Sequence, residues 1–209
     1  MKKSLFVYAA ILVVFIALGS AYGDEPAQKK NPVYEGQYQV SLNHSFWKFG
    51  DEGRNSLYSH AVIFGNPSED FTLLFSYFGP RFKLFNKLDA YILTGIYSDS
   101  AGASVISSLW LDYPFGKNDV FAEVDYYVTL QNQPHQLYTT MEASRSFKDD
   151  VSIGGVIEAF GNLENGQFSE LAYGPFVQFK FLRFWIAYNQ TPALPGEVVF
   201  LRTSLKFTF

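Results

Sequence analysis

The chain has no cysteine. That excludes a disulfide framework, a thiolate metal site and a cysteine nucleophile. Histidine is scarce as well: His44, His60 and His135 are the full set, and none sits in a metal-spaced or catalytic motif. No glycine-rich phosphate loop and no EF-hand loop occurs, so no cofactor is expected. Basic charge is in short supply, with 16 Lys and Arg against 20 Asp and Glu and a net charge of −4. A nucleic-acid partner therefore has no electrostatic basis. Long apolar runs are missing beyond the amino terminus, which excludes helical membrane spanning of the body of the chain.

The one long apolar run, Leu5 to Leu18, follows Lys2 and Lys3 and precedes the small-residue site Ala21-Tyr22-Gly23. It is shorter than the ~20 residues of a spanning helix. Charged start, short apolar run and small-residue site together predict a signal peptide over 1–23, cleaved after Gly23. Residues 24–33 then form a short periplasmic leader, and 34–209 a single domain. Removing Lys2 and Lys3 takes the formal charge from −4 to −6.

What is abundant is aromatic: 19% of residues, including 22 Phe and 14 Tyr, in a chain of mean hydropathy near zero. Strict alternation of period two, the strand signature, covers nearly all of the mature chain. It is clearest at the end, where Leu201, Thr203, Leu205, Phe207 and Phe209 alternate with Arg202, Ser204, Lys206 and Thr208. A strand with Leu and Phe on one face and Arg and Lys on the other divides two solvents. Closed sheet is the way such strands satisfy every backbone group in hydrocarbon.

This aromatic-terminated last strand, together with the signal peptide and the alternation, resembles the bacterial outer-membrane β-barrel proteins. The resemblance implies an antiparallel transmembrane barrel in the outer membrane of a diderm, Gram-negative bacterium. It also implies that Leu201, Leu205, Phe207 and Phe209 belong to a barrel-closing strand read by the insertion machinery, with outer-membrane lipid as the other partner.

Candidate strands run Tyr34–Lys48, Leu57–Gly65, Phe71–Phe85, Leu88–Ser98, Ala103–Tyr113, Val120–Leu130, His135–Phe147, Val151–Phe160, Leu171–Phe181, Arg183–Asn189 and the closing Val198–Phe209. Phe71–Phe85 slips phase around Phe78-Gly79-Pro80, which predicts a bulge or a tight turn. Gly174-Pro175 echoes that pair ahead of another aromatic strand. Single-chain bacterial barrels have even strand numbers. The expectation is therefore ten strands, with Tyr34–Lys48 outside the ring, or twelve if Phe71–Phe85 splits.

With apolar faces toward lipid, the inward set includes Trp110, Asp112, Glu123, Asp125, Glu142, Glu158, Glu170, Lys180, Arg202 and Lys206, joined by Arg81 and Lys83. Buried charges are paired or hydrogen-bonded, so acids are expected to face bases. Three functions follow. A charged constriction would make a narrow channel for small polar solutes. A filled lumen would make a plugged structural or surface-interaction barrel. A lipid-modifying enzyme would need a Ser–His pair, for which His44 and His135 lie on lipid-facing registers and His60 on an ambiguous one. The Glu123/Asp125 pair reads as lumen lining rather than as protease acids. Arg145, on an outward register near the Lys148-Asp149-Asp150 turn, is placed to snorkel at an interface.

Overall fold

The computed structural model describes residues 33–51, 54–67, 71–85, 87–99, 102–129, 135–148, 150–162, 167–190 and 197–209. The expected signal peptide and leader, up to residue 32, lie outside them. Among the described residues every regular element is a strand: β1 Val33–Phe49, β2 Asn55–Asn66, β3 Phe71–Leu84, β4 Leu88–Asp99, β5 Gly102–Phe115 and β6 Asn118–Thr129, then β7 Gln136–Lys148, β8 Val151–Asn162, β9 Gln167–Phe179, β10 Leu182–Gln190 and β11 Glu197–Thr208. Each strand pairs with its chain neighbour, and β1 pairs with β11, closing a barrel.

The strand number is eleven, not ten or twelve. Tyr34–Lys48 is a full member of the ring, between β11 and β2. An odd number closes because β1 lies parallel to β11, in unbroken register from Val33↔Val198 to Asn43↔Thr208. A parallel ladder satisfies its backbone groups as an antiparallel one does, with slightly less stability per residue. Further hydrogen bonds from side chains and backbone suture this seam. Arg202 Nε donates to Gln37 Oε1 at 3.0 Å, Asn43 Nδ2 donates to the Phe207 carbonyl at 3.2 Å, and the Phe209 amide donates to the Asn43 carbonyl at 2.9 Å.

Closure this way puts the start of β1 and the end of β11 at opposite rims. The turn rim carries the connections after β1, β3, β5, β7 and β9, and Phe209. The loop rim carries the connections after β2, β4, β6, β8 and β10, and Val33. Lys180 opens the two-residue β9–β10 turn with a φ of +50°.

The expected bulge at Gly79-Pro80 does not occur. The β3 register is continuous from Ser56↔Arg81 to Asn66↔Phe71 against β2, and from Phe78↔Thr94 to Arg81↔Tyr91 against β4. Pro80 merely lacks an amide to donate. The phase slip read from sequence has another cause: Leu73, Phe75 and Tyr77 point into the barrel, and Phe78, Phe82 and Leu84 point out. Gly174-Pro175 repeats the device, with the β9–β10 register kept between Tyr173↔Tyr188 and Phe176↔Trp185. In both places the inward glycine is required. A Cβ on Gly79 would collide with the Ile92 carbonyl oxygen, and one on Gly174 with the Ile186 carbonyl oxygen. True irregularities fall elsewhere, at Trp47, at Phe147 and beside Phe160.

The outer wall is apolar all round. Ile63, Leu74, Phe78, Ile92, Ile96, Leu109, Val124, Ile153, Ile186 and Leu201 all stand exposed on it. Aromatic side chains crowd both ends of this belt. Phe147, Phe179, Phe181, Phe207 and Phe209 are exposed near the turn rim, and Tyr34, Tyr38 and Tyr173 near the loop rim.

Candidate functional site

Alternation places one residue in two of every strand inside the ring, and the inside is where unusual chemistry collects. At mid-height the lumen is filled. Ile106 and Asp125 are completely buried, Trp185 and Phe200 are each 2% exposed, and Tyr77, Trp110 and Phe176 are close behind. Barrel diameter grows with strand number, and about eight strands is the size that ordinary side chains just fill. Eleven strands leave a wider space, and rings occupy it. Tyr58, His60, Tyr77 and Tyr91 all pack within about 6 Å of Trp110, measured between ring centres.

Asp125 sits in the centre of this aromatic plug, and the side chains seen to donate to it are neutral. Its carboxylate accepts hydrogen bonds from Tyr77 Oη at 2.7 Å, from Ser108 Oγ and from Trp110 Nε1 at 3.4 Å. Neutral donors converging on a carboxylate compensate its lost hydration. The expected facing of acids by bases is not how this residue is satisfied. His60, whose register was ambiguous, faces inward here. Its Nδ1 lies 2.6 Å from Asn43 Oδ1, which also accepts from Tyr58 Oη.

Ion pairs bridge the lumen elsewhere. Arg202 Nη1 meets Glu158 Oε1 at 2.7 Å, reaching from β11 to β8. Arg202 also lies against the rings of Trp185, Phe64 and Phe200 at 4.6, 4.8 and 5.2 Å. From β10, Arg183 grips Glu142 on β7 with two bonds of 2.6 and 2.7 Å, and its guanidinium rests 4.2 Å from the centre of the Phe176 ring. This bidentate geometry is the strong form of the pair. Near the turn rim Arg81 pairs with Asp89 at 2.8 Å, and Lys83 lies 3.9 Å from the same carboxylate. Asp112 stands half-buried next to Asp89 in the β4–β5 register. Lys206, on the inward face of β11, is exposed.

Of the residues expected inside, Trp110, Glu123, Asp125, Glu142, Glu158, Glu170, Arg202, Arg81 and Lys83 face inward. Lys180 does not. It lies in the β9–β10 turn, 3.4 Å from Asp150, with most of its side chain in solvent. A strand boundary drawn at Phe181 rather than Phe179 carried it into the inward set. Arg183 and Asp89 were missed. The alternation of Arg183, Trp185, Ala187 and Asn189 against Leu182, Phe184, Ile186 and Tyr188 was signal enough for the first.

Above the plug the lumen widens into a cup of about 500 Å³ toward the loop rim. Glu35, Gln37, Gln39 and Arg202 line one side, and Tyr127, Tyr138, Phe160 and Glu170 the other, with His60, Tyr77 and Glu123 among the residues around it. His44 is outside the barrel, stacked on Phe46, and His135 packs at a tilt against Tyr126 near the loop rim. Among the described residues no histidine is hydrogen-bonded to a serine, and no cluster of His, Asp and Glu is arranged to hold a metal ion. Comparison with protein-family models, with curated proteins and with solved structures found no match.

Proposed function

We propose that this chain is an integral outer-membrane β-barrel that is plugged at mid-height and acts by binding or surface interaction at its loop rim, not by passing solutes. The aromatic plug around Trp110, Tyr77 and Asp125, continued across the ring by Trp185, Phe176 and Phe200, carries the closed-lumen reading. Membrane placement is supported by the exposed apolar belt. Contiguous apolar patches beyond a few hundred Å² are rare on soluble monomers, whereas a lipid-facing barrel requires them, flanked by aromatic girdles. The outer-membrane and insertion-signal readings of the last strand belong to the same proposal. So does the orientation, with short turns periplasmic and the cup opening outward.

The test is conductance of refolded 24–209 in a planar bilayer, with insertion verified by flotation with liposomes. A silent, inserted barrel is expected. Discrete, ion-selective steps that change in a Glu123→Gln variant would instead restore the narrow charged channel. A lipid-modifying activity would have to survive the placement of His60 inside the lumen, bonded to Asn43, and the separation of His44 and His135 from any serine partner among the described residues.

A further inference from the structure

Resting on the plugged-barrel reading, we propose that the cup at the loop rim is a binding site for small organic cations that carry a flat or apolar body, such as aryl- and alkylammonium compounds. The cup is enclosed by ten strands of the ring and floored by the plug, so a molecule entering it leaves bulk water on most sides. Its charge is one-sided. Arg202 is matched by Glu158, and beyond that pair Glu35, which accepts from Asn66, and Glu170 line the cup toward its mouth, with Glu123 deeper. Rings supply much of the remaining wall, notably Phe75, Tyr97, Tyr138 and Phe160.

Carboxylates combined with ring faces favour a cation twice over. The carboxylate attracts it directly, and the negative face of each ring adds a quadrupole attraction that strengthens as water is excluded. The molecule already contains an example. The Arg202 guanidinium is held among three rings and bonded to Glu158. An organic ammonium above it meets the same two kinds of group on the opposite wall. Anions meet carboxylates of their own sign and are repelled. Neutral polyols find amides such as Gln37 and Gln136, but gain nothing from the charge.

The probes are phenethylammonium and 2-phenylethanol, which share ring and chain and differ in charge, with methyl glucoside as the polyol. Titration calorimetry on the refolded barrel in detergent micelles, at low salt, reads all three. Phenethylammonium is expected to bind about tenfold tighter than 2-phenylethanol, with methyl glucoside weakest. The Glu35→Gln/Glu170→Gln variant, altered near the mouth, should weaken the amine about fivefold and leave the alcohol unchanged. Heat-modifiable gel mobility verifies that the variant is folded. Equal binding of amine and alcohol, tighter binding of the glucoside, no binding of any probe, or an amine affinity unchanged in the folded variant would each overturn the proposal. Conductance separates the two readings. Current steps alongside charge-selective binding would remove the plug and keep the site, and a silent barrel without amine selectivity would remove the site and keep the plug.

Discussion

Removing either partner of the Arg202–Glu158 pair should destabilise the barrel by different amounts, and removing both should nearly restore it. The two side chains meet at 2.7 Å and are only 13% and 16% exposed. A buried pair broken from one side costs about 3–5 kcal/mol, because the survivor is left charged and desolvated. Partial water access from the cup lowers that range. The two survivors, however, are not left in equal company. In Glu158→Leu, Arg202 keeps its ring contacts and the Gln37 hydrogen bond, and each cation–ring contact is worth about 0.5–2 kcal/mol. In Arg202→Met, the Glu158 carboxylate loses its bonded cation and has no cation–ring contact to fall back on.

The expected costs are therefore about 2 kcal/mol for Glu158→Leu and about 3 kcal/mol for Arg202→Met. The double variant replaces an ion pair by apolar side chains of similar size and should lie within about 1 kcal/mol of the native protein. The coupling energy is then about 4–6 kcal/mol. Urea unfolding in phospholipid vesicles, followed by tryptophan fluorescence, measures all four proteins. Refutation would be additive costs, or Glu158→Leu costing more than Arg202→Met. Either would mean that the rings do not hold the guanidinium as their geometry indicates.

The remaining predictions use the same unfolding assay or the bilayer. Gly79→Ala and Gly174→Ala should each cost about 1–3 kcal/mol, since the added methyl meets a neighbouring backbone carbonyl, whereas Gly36→Ala, with open space around it, should be neutral or slightly stabilising. Lys180→Gly should gain about 0.5–1 kcal/mol by relieving a φ of +50°, because the exposed Asp150 pair that it loses is worth little. Trp110→Ala should cost about 3–5 kcal/mol and, in inserted protein, turn a silent bilayer into one with small current steps. A single cysteine label at Tyr34, in a chain with no other cysteine, should report on the side of the membrane opposite to one at Phe209. Labelling of both from one side would require the ring to close without β1.

The alternation of the sequence made most of the fold legible. Every expected strand is present, and the inward positions of Glu123, Asp125, Glu142, Glu158 and Arg202 follow from period two alone. The misread bulge has one physical cause, the assumption that apolar means outward. That holds from Leu201 to the end of β11, where Arg202, Ser204 and Lys206 face the lumen. It fails on β3, where Leu73, Phe75 and Tyr77 are inside, and so a continuous strand read as one with a bulge. Partners were not legible at all. Arg202 with Glu158 and Tyr77 with Asp125 join residues 44 and 48 positions apart in sequence, and only the curvature of the closed ring brings them together.

The aromatic share and the strand number explain each other. Exposed girdles account for the rings at the two ends of the outer wall, but Tyr58, Tyr77, Tyr91, Trp110, Tyr127, Phe176, Trp185 and Phe200 are inside. A ring of eleven strands encloses more space than Ser, Thr and short acids can fill, and empty or half-wet space would leave Asp125 and Glu142 poorly solvated and without their partners. Large flat side chains fill that space while offering Oη and Nε1 donors to the carboxylates among them, as Tyr77 and Trp110 do for Asp125. The same rings give a guanidinium somewhere to rest. The plug, the caged arginines and the acid-and-ring cup above them are thus one solution to the problem of filling a barrel this wide.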